Sequence, residues 1–409
     1  MIPRHILPLI VFAQFCCTSM WFAGNAVLSE MVTTFGLPDT ALGSLTSAIQ
    51  FGFICGTLVF AILAVADRFA PSRVFFVSAI AGAAFNLAGT WPENTLFLLL
   101  SGRFITGFFL AGIYPVGMKI AADYYQKGLG KSLGFLVGAL VLGTAFPHLL
   151  RGIGQELPWM SVLFITSGLA ALGGGLMLAF VPDGPHRSQG ARPDFTAFFK
   201  VFRNRPFRAA AFGYFGHMWE LYAFWAFVPL LLSSYLKTQP EAGFSPSVMS
   251  FFVIGIGGVG CVISGLLSQR YGPRKVAATA LTLSGACCLL APAIFFFPPA
   301  IFLSFLLIWG MLVIADSPLF STLVAGSAAP GRKGTALTIV NCLGFALTIV
   351  SIQVLVTAGE WLGPAARMPL LAIGPVLGLW GLYAGRTTRK IRCKRMGELE
   401  IDCPPEAAS

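Results

Sequence analysis

Charged side chains are scarce in this sequence. They make up 11% of its 409 residues, against 56% hydrophobic residues and a mean hydropathy of +0.80. Soluble domains carry about 25% charged residues, so most of this chain cannot face water. Long polar segments are missing too, and the apolar runs leave no stretch for a soluble catalytic domain. A disulfide framework is excluded next. Of nine cysteines, seven (16, 17, 55, 261, 287, 288, 342) lie inside apolar runs and two (393, 403) in a basic tail. None stands on a loop where an oxidising compartment would pair it. A nucleotide-binding loop is lacking as well. Gly130-Lys131-Ser132 ends like one, but the first glycine of that pattern would fall on Tyr125 and no strand precedes it. Gly255-Ile256-Gly257-Gly258-Val259-Gly260 spells a dinucleotide fingerprint inside an apolar run, where close helix packing is the expected use of glycine. No cofactor is expected, and no enzyme, because no catalytic set is clustered.

What is present is a series of apolar runs. A spanning helix needs about 20 apolar residues, and twelve such runs lie near residues 6–28, 41–65, 74–91, 96–121, 132–150, 159–181, 209–236, 247–268, 276–297, 301–326, 335–357 and 367–385. The first is longer than a secretory signal core and eleven more follow, so it reads as a span. A net charge of +11 would suit nucleic acid, but its placement argues otherwise. With the N-terminus in the cytoplasm, 22 of the 27 Lys and Arg fall in inside segments, and only Arg151, Lys237 and Arg367 fall outside. Arg103 and Lys119 sit within spans. This asymmetry is the positive-inside rule and puts both termini in the cytoplasm. The tail from Arg386 to Arg395 then meets anionic head groups. The expected partners are the bilayer, a small solute and protons, with no nucleic acid, and the chain is expected to act as a monomer.

The sequence repeats itself. Gly265-Leu266-Leu267-Ser268-Gln269-Arg270-Tyr271-Gly272-Pro273-Arg274-Lys275 lies between two apolar runs, and a weaker copy, Leu63 to Arg73 with Asp67-Arg68, lies 202 residues earlier. An offset of half the chain means two similar halves. These residues resemble the signature loops of the major facilitator superfamily, Gly-x-x-x-Asp-Arg-x-Gly-x-Arg/Lys-Arg/Lys between helices 2 and 3 and its counterpart between helices 8 and 9. Leu99-x-x-x-Arg103-x-x-x-Gly107 resembles that family's pattern in helix 4, and Pro330-Gly331-Arg332-Lys333-Gly334-Thr335 its loop before helix 11. The departures are Gln269 for Asp in the second loop, and Leu63 and Ala70 for Gly in the first. The resemblance implies an all-α membrane protein of twelve transmembrane helices in two pseudo-symmetric six-helix bundles. The bundles would be residues 1–181 and 209–385, with a cytoplasmic linker at 182–208, a short surface helix near 195–202, and a basic tail at 386–409. It also implies a cytoplasmic gate at Asp67, Arg68, Gln269, Arg270, Gly272 and Arg274. Asp67-Arg68 is expected to hold that gate more strongly than uncharged Gln269.

Polar groups inside the spans are the candidate site, because each is costly in lipid unless it meets water or a partner. In the first span Gln14, Cys17, Thr18, Trp21 and Asn25 share a helical face that lines a path or packs on a neighbour. Arg103 in the fourth span would bind an anion, organise a proton-bearing carboxylate or brace neighbouring carbonyls. Tyr114 is eleven residues on, on the same face, whereas Lys119 lies roughly 160° away and snorkels. In the seventh span His217 and Glu220 are three apart and so share a face. Glu220 is about twelve residues in, roughly 18 Å and near the membrane middle. Together they are the first candidates for a coupling proton. Asp316 in the tenth span is the second, and Asn341 in the eleventh adds a polar face. Pro318 lies 203 residues after Pro115, so the repeat extends to these helices.

The expected function is a secondary transporter in a bacterial cytoplasmic membrane. It would move a small polar solute by alternating access in symport with protons, an anion being admitted by Arg103. Efflux by antiport is the main alternative, and the missing Gly-Pro at the end of the fifth span favours import. A soft-metal transporter using Cys16, Cys17, Met20, His217 and Met218, and a sensor that binds without transport, are the others.

Overall fold

The computed structural model describes residues 3–38, 40–125, 129–154, 156–187, 202–328 and 333–384. The linker helix expected near 195–202, the loop at 330–332 and the basic tail lie outside the described residues, except for the helix's last residue. Among the described residues every regular element is helical. In chain order the long elements are α1 (Ile6–Thr18), α2 (Ala41–Ile62), α3 (Pro71–Thr90), α4 (Leu96–Tyr124), α5 (Leu129–Ile153), α6 (Met160–Phe180), α7 (Arg205–Thr238), α8 (Pro246–Tyr271), α9 (Pro273–Ile294), α10 (Pro299–Ser327), α11 (Lys333–Ala358) and α12 (Met368–Ala384). Nine of the described helices are long and apolar enough to cross a membrane. The two shorter apolar helices α1 and α12, with the 34-residue α7, fit the expected twelve.

Local chemistry sets the ends. Proline sits in the first turn of α3, α7, α8, α9 and α10, where its missing N–H costs nothing. The Thr95 and Ser245 hydroxyls cap α4 and α8 by accepting from the Leu98 and Val248 amides. Several long helices are broken midway. α1 turns at Ser19–Phe22 and resumes as Ala23–Ala26 and Leu28–Phe35. α4 breaks just before Pro115 and α10 at Asp316, just before Pro318. The two prolines displace the carbonyls four residues back at matching places in the repeat.

The repeat is also legible in packing. A Cβ on Gly107 of α4 would collide with the Ile49 carbonyl of α2, and a Cβ on Gly310 of α10 would collide with the Val253 carbonyl of α8. Helices this close rely on glycine. Within one half α1 packs on α5 and α6, and α3 on α4 and α6; within the other α7 packs on α11, α8 on α10, and α9 on α10 and α12. The halves meet where α2 crosses α11 and α5 crosses α8. The glycine run in α8 serves these contacts: Gly255 and Gly257 face Leu142 and Val141 of α5, while Gly260 lies against Met311 of α10. At the end of the bundle away from the start of α1, Gln353 Nε2 donates to Ser47 Oγ at 2.8 Å, Gly43 sits under Val356, and Gly152 under Val248.

The two signature loops turn differently. Gly272 takes the positive φ (83°) that starts α9. Its counterpart Ala70 is extended, and the left-handed residue is Ala64 instead, at φ 49°. An L-residue there costs roughly 1–2 kcal/mol. Ala64→Gly is therefore expected to raise stability by about 1 kcal/mol, read as a higher unfolding midpoint in detergent, whereas Gly272→Ala lowers it.

Candidate functional site

The break in α1 organises the first half. It leaves the Met20 and Trp21 carbonyls without helical partners, and Arg103 of α4 takes both, donating from Nη1 to Met20 O at 3.1 Å and from Nη2 to Trp21 O. A third, longer contact runs to Asn86 Oδ1 at 3.5 Å. The Asn86 amide also donates to Thr166 and Ser167 of α6. The buried guanidinium is thus a brace across α1, α3 and α4, and of the three roles open to it this is the one its partners fill. Tyr114 loses the helical phase that would put it on the face of Arg103, because the break at 111–113 lies between them. Lysine offers one compact charge and cannot span two carbonyls. We expect Arg103→Lys to cost about 3 kcal/mol or more, the cost of breaking a buried charged contact, measured as a fall in unfolding midpoint with no solute present.

Aromatic rings from both halves meet beside this break. Trp21 stacks on Tyr222 of α7 and on Phe345 of α11, both at 5.8 Å between centroids, and Phe53 of α2 packs on Trp21 and Phe345 at 4.9 and 4.6 Å. Phe22 meets Trp225 edge-on. Tyr114 lies within electrostatic reach of the Tyr214 and Tyr222 hydroxyls, and Tyr214 donates to Asn341 Oδ1 at 2.8 Å. Asn25 lies off this cluster and donates to Thr46 Oγ1 of α2 at 2.8 Å, a packing role.

The buried acids pair differently from the expectation. Although His217 and Glu220 share a helix, they do not pair with each other. His217 Nδ1 lies 2.7 Å from Asp316 Oδ1 at the break of α10, both fully buried, a close polar contact rather than an aligned hydrogen bond. Tyr214 packs on the His217 ring at 5.9 Å. Glu220 points instead into the core of its own half. Trp309 Nε1 donates to Oε1 at 2.7 Å, Cys288 Sγ to the same oxygen at 3.3 Å, and Ser284 Oγ to Oε2 at 2.9 Å. Ser284 also has the Leu281 carbonyl at 3.2 Å. Its hydroxyl can donate to a carboxylate, or turn to Leu281 and accept from a carboxylic acid, so the pocket accommodates both forms.

Among the described residues, the contacts seen for the expected gate residues fall within their own halves. Asp67 pairs with Lys119 of α4 at 3.0 Å, and Lys119 reaches Asp123 at 3.6 Å. Arg187 donates to the Phe69 carbonyl at 3.0 Å and pairs with Asp183. Arg68 is exposed. In the other half Arg274 donates to the Leu382 carbonyl and lies over the Tyr383 ring, Arg270 lies over Tyr271, and Gln269 is exposed. Lys119 does not simply snorkel but is the partner of Asp67 and Asp123; its four-residue spacing signals the second pairing in the sequence, and nothing in the spacing signals the first. Asn86, Ser284 and Cys288 escape sequence reasoning because single small polar residues in apolar spans announce no partner. The soft-metal residues are scattered: Cys16 and Cys17 lie against Gly173 of α6, Met20 against Gly82 of α3, and His217 against Asp316. Among the described residues no three His, Cys, Asp or Glu gather as a metal site.

Comparison with known proteins agrees with this architecture. The sequence matches the family described as Major Facilitator Superfamily over residues 10–352. No curated protein sequence matches it. Among solved structures it is similar to a point mutant of the nucleoside transporter NupG, with a TM-score of 0.70 and 17% identity over 92% of this chain and 97% of that one. At that identity the likeness carries the fold.

Proposed function

Because the chain belongs to the Major Facilitator Superfamily, we propose that it moves a small polar solute by alternating access in symport with protons. It is an integral membrane protein and a secondary transporter of a small solute; the coupling is our reading. The observation that carries it is the His217–Asp316 contact. A titratable pair buried inside a span is expensive and marks a pathway or relay. This one sits at a helix break, beside Tyr214, which donates to Asn341 and lies within electrostatic reach of Tyr114 of the opposite half. Movement of one half against the other changes what surrounds it. Glu220 is a second proton-binding group, set behind Trp309 and away from the meeting of the halves.

The moving bodies are residues 1–181 and 209–385, joined by 182–208. On our reading the membrane is a bacterial inner membrane, and the excess of basic residues in alternate loops supports a cytoplasmic start of α1. The end sealed by Ser47 and Gln353 is then the outer one, and the Asp67–Lys119 and Arg274–Leu382 contacts belong to the cytoplasmic gate. The chain works as a monomer, since each half supplies one wall of the path.

The test uses the purified full chain in proteoliposomes, with sugars, nucleosides, organic acids and amines offered under an inward proton gradient. One solute should accumulate, and a protonophore should abolish its accumulation. Uptake that is indifferent to the gradient and to the protonophore would exclude proton coupling. Efflux driven by the same gradient would reverse the assigned direction.

A further inference from the structure

The solute the aromatic cluster fits is not an anion. Admission of an anion rested on Arg103, whose Nη groups are both spent on the Met20 and Trp21 carbonyls. Apart from it and the His217–Asp316 pair, whose members face each other, the side chains that converge where the halves meet offer ring faces and neutral dipoles. Several of those dipoles have no hydrogen-bond partner among the described residues although they are fully buried. They are the indole N–H groups of Trp21 and Trp225, the amide of Gln50 and Nε2 of His148. Orphaned buried polar groups are uncommon and ask for an explanation.

Their placement supplies one. Gln50 is three residues before Phe53, on the same face of α2, and Phe53 packs on Trp21. Trp225 touches Phe22, the residue after Trp21. On α5, Gly143 faces α1, and Val141 and Gly152 face α8. His148 therefore lies on the side of α5 turned toward α1 and α8, with exposed Phe135 about 140° away round the helix. Unpartnered polar groups at the break after α1, on α2, α5 and α7 thus lie on sides of their helices turned toward neighbours rather than lipid.

We infer that the transported solute is a neutral, ring-bearing polar molecule of the sugar or nucleoside type. Its flat face stacks on Trp21, Phe53, Tyr222 or Phe345, and its hydroxyl or ring-nitrogen groups engage the Trp21 and Trp225 indoles, Gln50 and His148. Stacking on aromatic faces and a few convergent polar groups are how such sites hold an uncharged ring. This inference rests on the transport reading above and adds the substrate class.

The experiment is binding to the full chain in detergent, read by intrinsic tryptophan fluorescence and thermal stabilisation, with uridine, D-glucose and myo-inositol against lactate and succinate. At least one neutral ring compound should bind and the two carboxylates should not. Trp21→Phe retains a smaller aromatic face and removes the N–H, and should weaken binding about tenfold, as should Trp225→Phe, since a site built to hydrogen-bond loses affinity when one partner goes. The unliganded unfolding midpoint of each variant checks its fold. The inference is overturned if no neutral ring compound binds, or if lactate or succinate binds and keeps its affinity in Trp21→Phe. Ring binding without uptake in proteoliposomes would uphold this inference and defeat the transport reading. Uptake of lactate or succinate would do the reverse.

Discussion

Asp316→Asn is expected to abolish gradient-driven accumulation while leaving solute exchange intact. One pH unit is worth about 1.4 kcal/mol, a factor of ten. A one-proton symporter of a neutral solute under two pH units therefore sustains about 100-fold accumulation. In the variant this should fall to about unity, because asparagine keeps the shape of the side chain that meets His217 but cannot carry the proton. Counterflow, which needs only the movement of the halves, should persist within a few-fold. Glu220→Gln should act differently. Its carboxyl lies among Trp309, Ser284 and Cys288 inside one half, so the amide should lower thermal stability more than it changes the coupling ratio. Wild-type accumulation in Asp316→Asn together with uncoupling in Glu220→Gln would move the coupling proton to Glu220.

The second large effect is structural. Gly107→Val and Gly310→Val each drive a side chain into a backbone carbonyl of the facing helix, Ile49 and Val253 respectively. Backbone cannot step aside as a flexible side chain does, so the helix pair must separate. Overpacking costs typically 1–3 kcal/mol and more where backbone must shift, and we place these substitutions at or above about 3 kcal/mol. The expected outcome is loss of most monodisperse protein in detergent, equally for both because the two crossings are copies of one geometry. Gly168→Ala and Gly175→Ala, where an added methyl meets nothing within 4 Å, serve as controls and should leave yield unchanged. A well-folded Gly107→Val protein would show that α2 and α4 do not cross so closely.

The architecture was legible because it rests on signals that repeat. Hydropathy marks the spans, and the 202-residue offset marks the halves. Pro115 and Pro318 mark the breaks in α4 and α10, and the same repeat reappears in the Gly107 and Gly310 crossings. The buried polar groups were legible one by one more than in their pairing. Arg103, His217, Glu220 and Asp316 stand out because each is ionisable inside an apolar run, but helical spacing could not choose their partners. His217 and Glu220 share a face at three-residue spacing, yet the angle between neighbouring positions sends His217 to the break of α10 and Glu220 between α9 and α10. Arg103 could not be assigned from sequence because its partners are backbone carbonyls freed by the break in α1, and a carbonyl carries no residue-type signal. Lys119 lies away from Arg103 by helical angle, which has no bearing on its contact with Asp67 on the neighbouring loop.

Alternating access is tested most directly by distances between the halves at both ends of the bundle in one sample. Spin labels carried on a non-natural amino acid, which leaves the nine native cysteines in place, would report Thr40 to Thr357 at the sealed end and Arg68 to Gln269 at the other. Varying pH and solute should lengthen the first distance in the population in which the second shortens. Two distances that stay fixed, or that change in the same sense, would contradict it.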